Sequence, residues 1–214
     1  MKKIGDIYKD YKIMPNLAMH QMRVAAVAMQ ICGSLDIEIN KENIIKACIF
    51  HDMGNIIKFD LDHFPEWNKP EGDEYWKGIK NDYISKYGKD EHKASLKIGE
   101  ELELSNDTLS LIDCVDSSYV EIIRKEDDIA KKICIYSDNR VTPHGVVSVE
   151  DHSLEAKERY KDHPHAFDEE GRQFFNENLN LIEKQIFFHS NIKPEDIDDL
   201  SIEKYLLELQ DFSI

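Results

Sequence analysis

Three stretches of this chain repeat apolar residues at the three- and four-residue spacing of an α-helix, and each places a histidine or an aspartate on its apolar face. In the first stretch, His20 lies three residues after Leu17 and four before Val24. Because residues three and four apart share one face of a helix, the imidazole of His20 is expected to point inward. The chain is therefore limited to helical folds whose core can satisfy buried polar groups.

The second and third stretches show the same arrangement. His51 lies three residues after Cys48, and Asp52 follows it directly. Asp138 lies three residues after Ile135 in the third stretch. A carboxylate that is buried without a charge partner costs several kcal/mol, so two such aspartates predict a cation beside them. One divalent metal ion would satisfy both carboxylates and both imidazoles.

Each of these residues has a simpler explanation when it is taken alone. His20 fits a hydrogen-bonded core histidine, Asp138 fits a salt-bridged residue at a helix end, and His51–Asp52 is a common dipeptide. The joint pattern predicts one metal site, whose nitrogen and oxygen ligands suit Mn, Fe, Co, Ni or Zn, with Mg also possible. A closed tetrahedral zinc site would be inert, so an ion that accepts five or six ligands is favoured.

Helical spacing continues along most of the chain and predicts an all-α fold, a single-domain helical bundle over residues 1–214. Pro15 is a favourable first residue for the first helix, Gly33 is expected to end it, and Asn40 is a candidate N-cap for the second. Further helices are predicted over 74–87, 91–104, 106–116, 117–125, 127–140, 148–161, 165–189 and 195–210. Residues 55–75 mix Pro and Gly with aromatic residues, which predicts an irregular loop of the kind that often forms a lid. Strand-like alternation is nowhere sustained.

The formal net charge of −16 limits the partners of the chain. A surface this acidic repels nucleic-acid polymers and anionic membranes, so neither is expected as a partner. A phosphorylated ligand needs a local positive charge, which a metal ion supplies. The four cysteines form no CxxC pair, and the chain has neither a signal-peptide pattern nor an apolar run of the roughly 18 residues that a membrane span needs. A cytoplasmic location is expected.

The segments LAMHQMRVAAVAMQI, ACIFHDMGN and IAKKICIYSDNRVTP resemble the motifs of the HD-domain superfamily of metal-dependent phosphohydrolases. The family order is a helix-borne His, a His-Asp doublet in an HDxG-like context and a distant Asp, which His20, His51–Asp52 and Asp138 supply in turn. The resemblance covers about residues 14–160, on which helices from 165–214 are expected to pack. It implies an all-α domain, a divalent ion held by these four residues, and hydrolysis of a phosphomonoester or phosphodiester, frequently of a nucleotide.

Neighbouring residues gain candidate roles from this resemblance. Asp52 is expected to orient the attacking water as well as to bind the metal. Asn55 stands where the family often has Lys or Glu, so Lys58 and Asp60 are candidates for the phosphate contact and the proton donor. His92, where many HD proteins carry a further histidine, is a candidate for a phosphate contact or a second ion, with a solvated surface histidine as the alternative.

Two further expectations concern phosphate binding and the number of metal ions. Arg140 is a candidate bidentate phosphate ligand, with pairing to a surface carboxylate as the alternative. Branches of the family with two metal ions carry a His pair where this chain reads CVDSSYVEI, so a mononuclear site is expected. The remaining histidines of the polar stretches are expected at the surface: His144, His152, His163 and His165.

Two matters stay open. The apolar residues after 165 are expected to complete the core, with a homodimer face as the alternative. The leading function is hydrolysis of a small phosphorylated metabolite. A non-catalytic metal or ligand sensor and a di-iron oxygenase are the alternatives, and the latter would need additional ligands.

Overall fold

The computed structural model describes residues 2–62, 64–161 and 166–214. Within these ranges the chain forms eleven α-helices and one two-stranded hairpin, which confirms the all-α prediction. The helices are α1 (Ile4–Asp10), α2 (Pro15–Ser34), α3 (Lys41–Phe50), α4 (Asp73–Tyr87), α5 (Glu91–Glu101), α6 (Asn106–Asp113), α7 (Val120–Lys125), α8 (Ile129–Asp138), α9 (Val149–Arg159), α10 (Glu169–Phe187) and α11 (Glu203–Gln210).

Local sequence signals account for several helix ends. Pro15 is the first residue of α2, where its missing N–H costs no hydrogen bond. The side chain of Asn40 caps α3 by accepting a hydrogen bond of 3.2 Å from the N–H of Asn43. Asp128 caps α8 in the same way through the N–H groups of Ala130 and Lys131. These three helices carry the residues of the predicted metal site.

The centre of the fold is α2, which packs against α3, α8 and α11. From Ile44 onward α3 is apolar except for Lys46, and Ile44, Ile49 and Phe50 are fully buried. Burial of an apolar side chain of this size stabilises the fold by about 1.5–3 kcal/mol. α3 and α8 also pack against each other, so the three elements that carry His20, His51–Asp52 and Asp138 are held together by the core.

α10 closes the bundle over α7 and α8. Its inner face buries Leu179, Ile182 and Ile186, and one continuous core cluster runs from Ile4 to Leu209. The expectation that apolar residues after 165 complete the core therefore agrees with the inner face of α10.

The N-terminal helix α1 has no counterpart in the sequence prediction. It buries Ile4, Ile7 and Tyr8, but seven residues are too few for helical spacing to be distinguished from chance. α2 ends at Ser34 rather than at Gly33, and the Ser34 hydroxyl donates to the carbonyl oxygen of Ile31 over 2.7 Å. The predicted loop of residues 55–75 contains two 3₁₀ segments, Asn55–Ile57 and Pro65–Asn68.

A hairpin after α8 is also missing from the prediction. Val141–Thr142 pairs antiparallel with Gly145–Val146, and strands of two residues show no alternation. Gly145 has φ +153°, and a Cβ there would lie 2.3 Å from the carboxylate of Asp199. The same carboxylate accepts a hydrogen bond of 3.1 Å from the N–H of Val146, so a distant residue fixes this turn.

None of the helices in the described ranges is both long and apolar enough to cross a lipid bilayer.

Candidate metal centre

His51 occupies the C-terminal end of α3, and only 4% of its surface is exposed. Its Nδ1 lies 2.9 Å from the carbonyl oxygen of Cys48. Because a carbonyl only accepts, the proton is on Nδ1, and Nε2 is the nitrogen that faces the other polar side chains. A histidine whose Nδ1–H is held by a carbonyl and whose Nε2 faces carboxylates is oriented for a metal ion.

His20 and Asp52 approach this nitrogen from two directions. His20 projects from α2, and Asp52 follows His51 in the turn after α3. The Oδ2 atom of Asp52 lies 3.6 Å from Nε2 of His20 and 3.6 Å from Nε2 of His51. One ligand atom from each of the three residues lies within 4.8 Å of the other two, a group that could hold a metal ion.

Asp138 adds a second carboxylate from the last residue of α8. Its Oδ1 lies 3.1 Å from Nε2 of His20 and 3.3 Å from Nε2 of His51. Burial on its own raises the pKa of Asp138, but the two imidazoles outweigh it and hold the pKa well below its usual range. Likewise, burial lowers the pKa of His51, while Asp52 and Asp138 raise it to about 10.

The donor chemistry of this cluster fits a divalent cation. His20, His51 and Asp52 form the group that could hold an ion, and Asp138 lies outside that group but contacts both imidazoles. Each carboxylate lies against an imidazole that is its counter-charge. A metal ion would supply that charge to both carboxylates, leaving the imidazoles as neutral ligands. Three of the four sequence-predicted ligands form the candidate group, and the fourth, Asp138, lies beside its two imidazoles. The mixed N/O set suits the metals expected from the sequence.

The turn after His51 is fixed by α5. The N–H of Gly54 donates to the hydroxyl of Ser95 over 2.9 Å. A Cβ on Gly54 would lie only 2.2 Å from the carbonyl oxygen of Glu91 and 2.7 Å from the Cβ of Ala94. On the other side, the N–H of Asp52 donates to Oε1 of Gln21. These contacts position the His-Asp doublet between α2 and α5.

The four polar residues lie in the wall of a cavity of about 820 Å³. Its apolar lining includes Phe59, Phe64 and Trp67, and the rings of Phe64 and Trp67 stack with their centres 4.2 Å apart. The other tryptophan, Trp76, does not line the cavity and is buried in the core with 3% exposure. The predicted loop of residues 55–75 therefore forms one wall of the cavity.

Lys58 and Asp60, the sequence-based candidates for the phosphate contact and the proton donor, both line the cavity. Lys58 is 39% exposed, and its ammonium lies 3.9 Å from a carboxylate oxygen of Glu91. Burial lowers the pKa of Lys58, but the nearby acidic groups, Asp52 first among them, raise it overall, so the side chain stays cationic. The carboxylate of Asp60 accepts a hydrogen bond of 3.1 Å from the N–H of Asp62.

His92 also lines the cavity, but it belongs to a separate pair. Its Nε2 lies 3.1 Å from Oδ1 of Asp113. Within the described part of the chain, the group of candidate metal ligands contains His20, His51 and Asp52 and includes neither His92 nor Asp138. Asp138 contacts both imidazoles of the group, whereas the partner of His92 is Asp113. The structure therefore does not join His92 to the cluster around His51.

Arg140 does not reach the cavity, and this differs from the expectation of a phosphate ligand. Its side chain is buried with 3% exposure. It donates to the hydroxyl of Tyr136 over 2.6 Å, to the carbonyl oxygens of Ile197 over 2.9 Å and Pro194 over 3.2 Å, and to that of Val147. None of these partners is a surface carboxylate, which was the expected alternative. Arg140 instead connects the end of α8 to the C-terminal segment through hydrogen bonds.

His152 is the site residue that the sequence prediction missed. It was expected at the surface, but it lines the cavity from α9. Burial lowers its pKa to about 4, which Asp138 only partly opposes. Its spacing was an available signal, because Val149 and Ala156 lie three residues before it and four after it on the same helical face. His163 and His165 lie outside the described residues.

Comparison with known proteins gives one match. The family described as HD domain matches residues 17–137, which is more than half of the chain and contains His20, His51 and Asp52. No curated protein and no solved structure matches. The matched range ends one residue before Asp138, which the geometry adds to the same cluster. By this match the chain belongs to the HD-domain family, whose members are mostly metal-dependent hydrolases.

Proposed function

We propose that this protein hydrolyses a phosphoric ester of a small metabolite with the help of one divalent metal ion. The observation that supports this most is the group of His20, His51 and Asp52 in the wall of a large cavity, with Asp138 in contact with both imidazoles. Nucleotides are the first substrates to test, because the family resemblance implies them and because aromatic rings line the cavity.

In this proposal His20, His51, Asp52 and Asp138 hold the ion. When it is bound, the ion polarises a phosphoryl oxygen and lowers the pKa of the attacking water. The buried position of His51 and its bond to Cys48 keep the imidazole in one orientation. The carboxylate of Asp52 is placed to accept a proton from that water and to orient it toward phosphorus.

The net charge of −16 repels an anionic substrate, so the charges that line the cavity matter for binding. Among the described lining residues, five are basic and five are acidic. The basic residues are Lys58, Lys157, Arg159, Lys161 and Arg172, and the acidic ones are Asp52, Asp60, Glu91, Asp116 and Asp138. Three of the basic residues pair with glutamates outside this lining, Lys157 and Arg172 with Glu169 and Arg159 with Glu155. A divalent cation would therefore be the main source of positive charge for an anionic substrate.

Lys58 is the side chain best placed to bind a phosphate oxygen, because it is cationic and lies in the cavity wall three residues after Asn55. Asn55 itself is buried and lines the same wall. Asp60 is the candidate proton donor to the leaving group. His152 is a further candidate contact, because its low pKa keeps the imidazole neutral at pH 7 and leaves one ring N–H for donation.

The test combines metal analysis with an activity screen. Protein purified without added metal is expected to retain about one transition-metal ion per chain and to hydrolyse phosphate esters after supplementation with Mn, Co, Ni or Mg. The Asp138→Ala variant should lose both the ion and at least about 100-fold in activity, because its carboxylate contacts both imidazoles.

The matched control is Asp113→Asn, which removes an aspartate that contacts a histidine outside the candidate ligand group. It should keep the ion and most of the activity. Retained activity in Asp138→Ala, or no bound metal in the wild type after supplementation, would refute the proposal. A wild type that binds metal and turns over no phosphate ester would point to the ligand-sensor alternative.

A further inference from the structure

The outer face of α10 carries a regular row of exposed apolar side chains. Phe174, Leu181 and Phe188 follow one another at intervals of seven residues, and 48%, 42% and 80% of their surfaces are exposed. Seven residues are nearly two helical turns, so the three side chains lie along one line. The inner face of α10 already completes the core with Leu179 and Ile182, so this outer row is not needed for the core of the chain itself.

Two charged residues alternate with the apolar ones. Glu177 lies between Phe174 and Leu181, and Lys184 lies between Leu181 and Phe188. All five side chains are exposed. The row, here called the α10 stripe, therefore reads apolar, acidic, apolar, basic, apolar.

This order is complementary to its own reverse. When two copies of the α10 stripe lie antiparallel with Leu181 at the centre, Phe174 of one copy faces Phe188 of the other. Glu177 then lies opposite a position one residue away from Lys184 of the other copy. This offset is about 1.5 Å along the helix axis, so the two charges are near each other. A two-fold axis creates each of these contacts twice, as an isologous interface requires.

A groove beside the stripe extends its apolar surface. Ile129, at the start of α8, lines this groove together with Leu181 and Phe188, and its volume is about 540 Å³. In the antiparallel arrangement, the groove lies next to the position of Phe174 of the second copy. Aromatic side chains that enter such depressions supply much of the energy of protein interfaces.

We propose that the α10 stripe is a homodimer interface, formed by two antiparallel copies of α10 around Leu181. A second copy is the partner that the sequence itself supplies, because the order of apolar and charged positions is complementary to its own reverse. Each copy carries a net negative charge, so two copies repel each other in general. Lys184, the single basic residue of the stripe, attracts Glu177 of the other copy at this face. This inference does not depend on any catalytic activity.

The test is a charge-reversal cycle on the full chain. The dissociation constant of wild type, Glu177→Lys, Lys184→Glu and the double variant is measured by analytical ultracentrifugation over a concentration series. Each single variant places like charges opposite each other twice, so the dissociation constant should rise about tenfold. The double variant exchanges the charges and should restore association to within about threefold of the wild type.

Two further variants separate this interface from general stickiness. Leu181→Asp should abolish dimers, because it places two carboxylates on the two-fold axis. Leu207→Asp changes an exposed leucine of α11 (65% exposed) and should leave the dimer unchanged. Thermal unfolding of each variant confirms that it is folded.

Three results would overturn the proposal. The first is a wild type that stays monomeric at several hundred micromolar. The second is a dimer that survives Leu181→Asp, and the third is a double variant that is no better than the single ones.

Discussion

The turn that carries His51 and Asp52 depends on the small residue that follows it. Gly54 has φ −90°, which any amino acid can adopt. The constraint is the space beside it, because α5 passes so close that the backbone of Glu91 and the side chain of Ala94 occupy the position of a Cβ. The contact between the metal-site turn and α5 is therefore a backbone contact that larger residues exclude.

For this reason Gly54→Ala is expected to displace α5, to destabilise the protein by about 1–3 kcal/mol and to weaken metal binding. Urea unfolding and metal titration measure the two effects. Gly78→Ala is the matched control, since no atom lies within 4 Å of the added methyl group and alanine in place of a helical glycine stabilises by about 0.5–1 kcal/mol. Equal stability of the two variants would contradict the crowding at Gly54.

The buried thiols predict how stability depends on alkaline pH. Burial raises the pKa of Cys32 from 9.0 to about 12. Between these values the folded chain keeps a proton that the unfolded chain has lost, so stability falls as pH rises from about 9 to about 12. The slope is at most about 1.4 kcal/mol per pH unit for one thiol.

Urea unfolding at pH 8 and pH 10.5 measures this loss. Cys32→Ala should show a smaller loss than the wild type, because other buried thiols and tyrosines contribute equally to both proteins. The same loss in both would show that Cys32 is not responsible. In the native protein at pH 8, Cys32 should also react slowly with iodoacetamide.

At the scale of helices, the sequence predicted best those elements whose buried face is long. α2, α3 and α8 have apolar spacing over ten or more residues; α3 and α8 begin at side-chain caps, and α2 begins at Pro15. The inward side chains His20, His51 and Asp138 followed from that spacing. α1 and the hairpin after α8 were missed, because they are held by contacts with residues distant in sequence. One example is the contact of Asp199 with Val146.

Contacts with residues distant in sequence also explain the two wrong predictions at the site, which concern Arg140 and His152. Arg140 lies two residues after Asp138, and from the sequence it is equally suited to phosphate and to carbonyl oxygens. Only the fold shows that Pro194 and Ile197 accept its hydrogen bonds. His152 sits in a helix of mostly charged residues, and its position in the cavity depends on how α9 packs.

Arg140 is expected to be a stabilising residue of α8 rather than a ligand. Arg140→Met leaves the carbonyl oxygens of Pro194 and Ile197 without their donor, so a loss of about 3 kcal/mol is expected in urea unfolding. The control Lys125→Met removes an exposed lysine that pairs with Glu121 four residues earlier in α7, which should cost at most about 1 kcal/mol. An Arg140→Met protein as stable as the control would contradict the assignment.

At the scale of the whole molecule, the matched family region is shorter than the folded unit. Residues 17–137 match the family, yet the core also draws on α10 through Leu179 and Ile182 and on Ile202. The single-domain prediction for residues 1–214 leads to a test. A chain that stops at residue 161 should lose cooperative unfolding and metal binding, because the inner face of α10 and the acceptors of Arg140 are gone.

Circular dichroism during heating and metal analysis of the shortened chain measure this outcome. A shortened chain that unfolds cooperatively and keeps its ion would show that residues 166–214 form a separable unit. The full chain, treated identically, is the reference.

α10 has one face in the cavity wall, through Arg172 and Phe175, and the other on the outside as the α10 stripe. If ligand in the cavity orders this helix, the two binding equilibria are thermodynamically linked. The factor by which a ligand strengthens self-association must then equal the factor by which self-association strengthens ligand binding. The sedimentation behaviour of the chain would in that case report cavity occupancy for any small molecule, including those that it binds and does not transform.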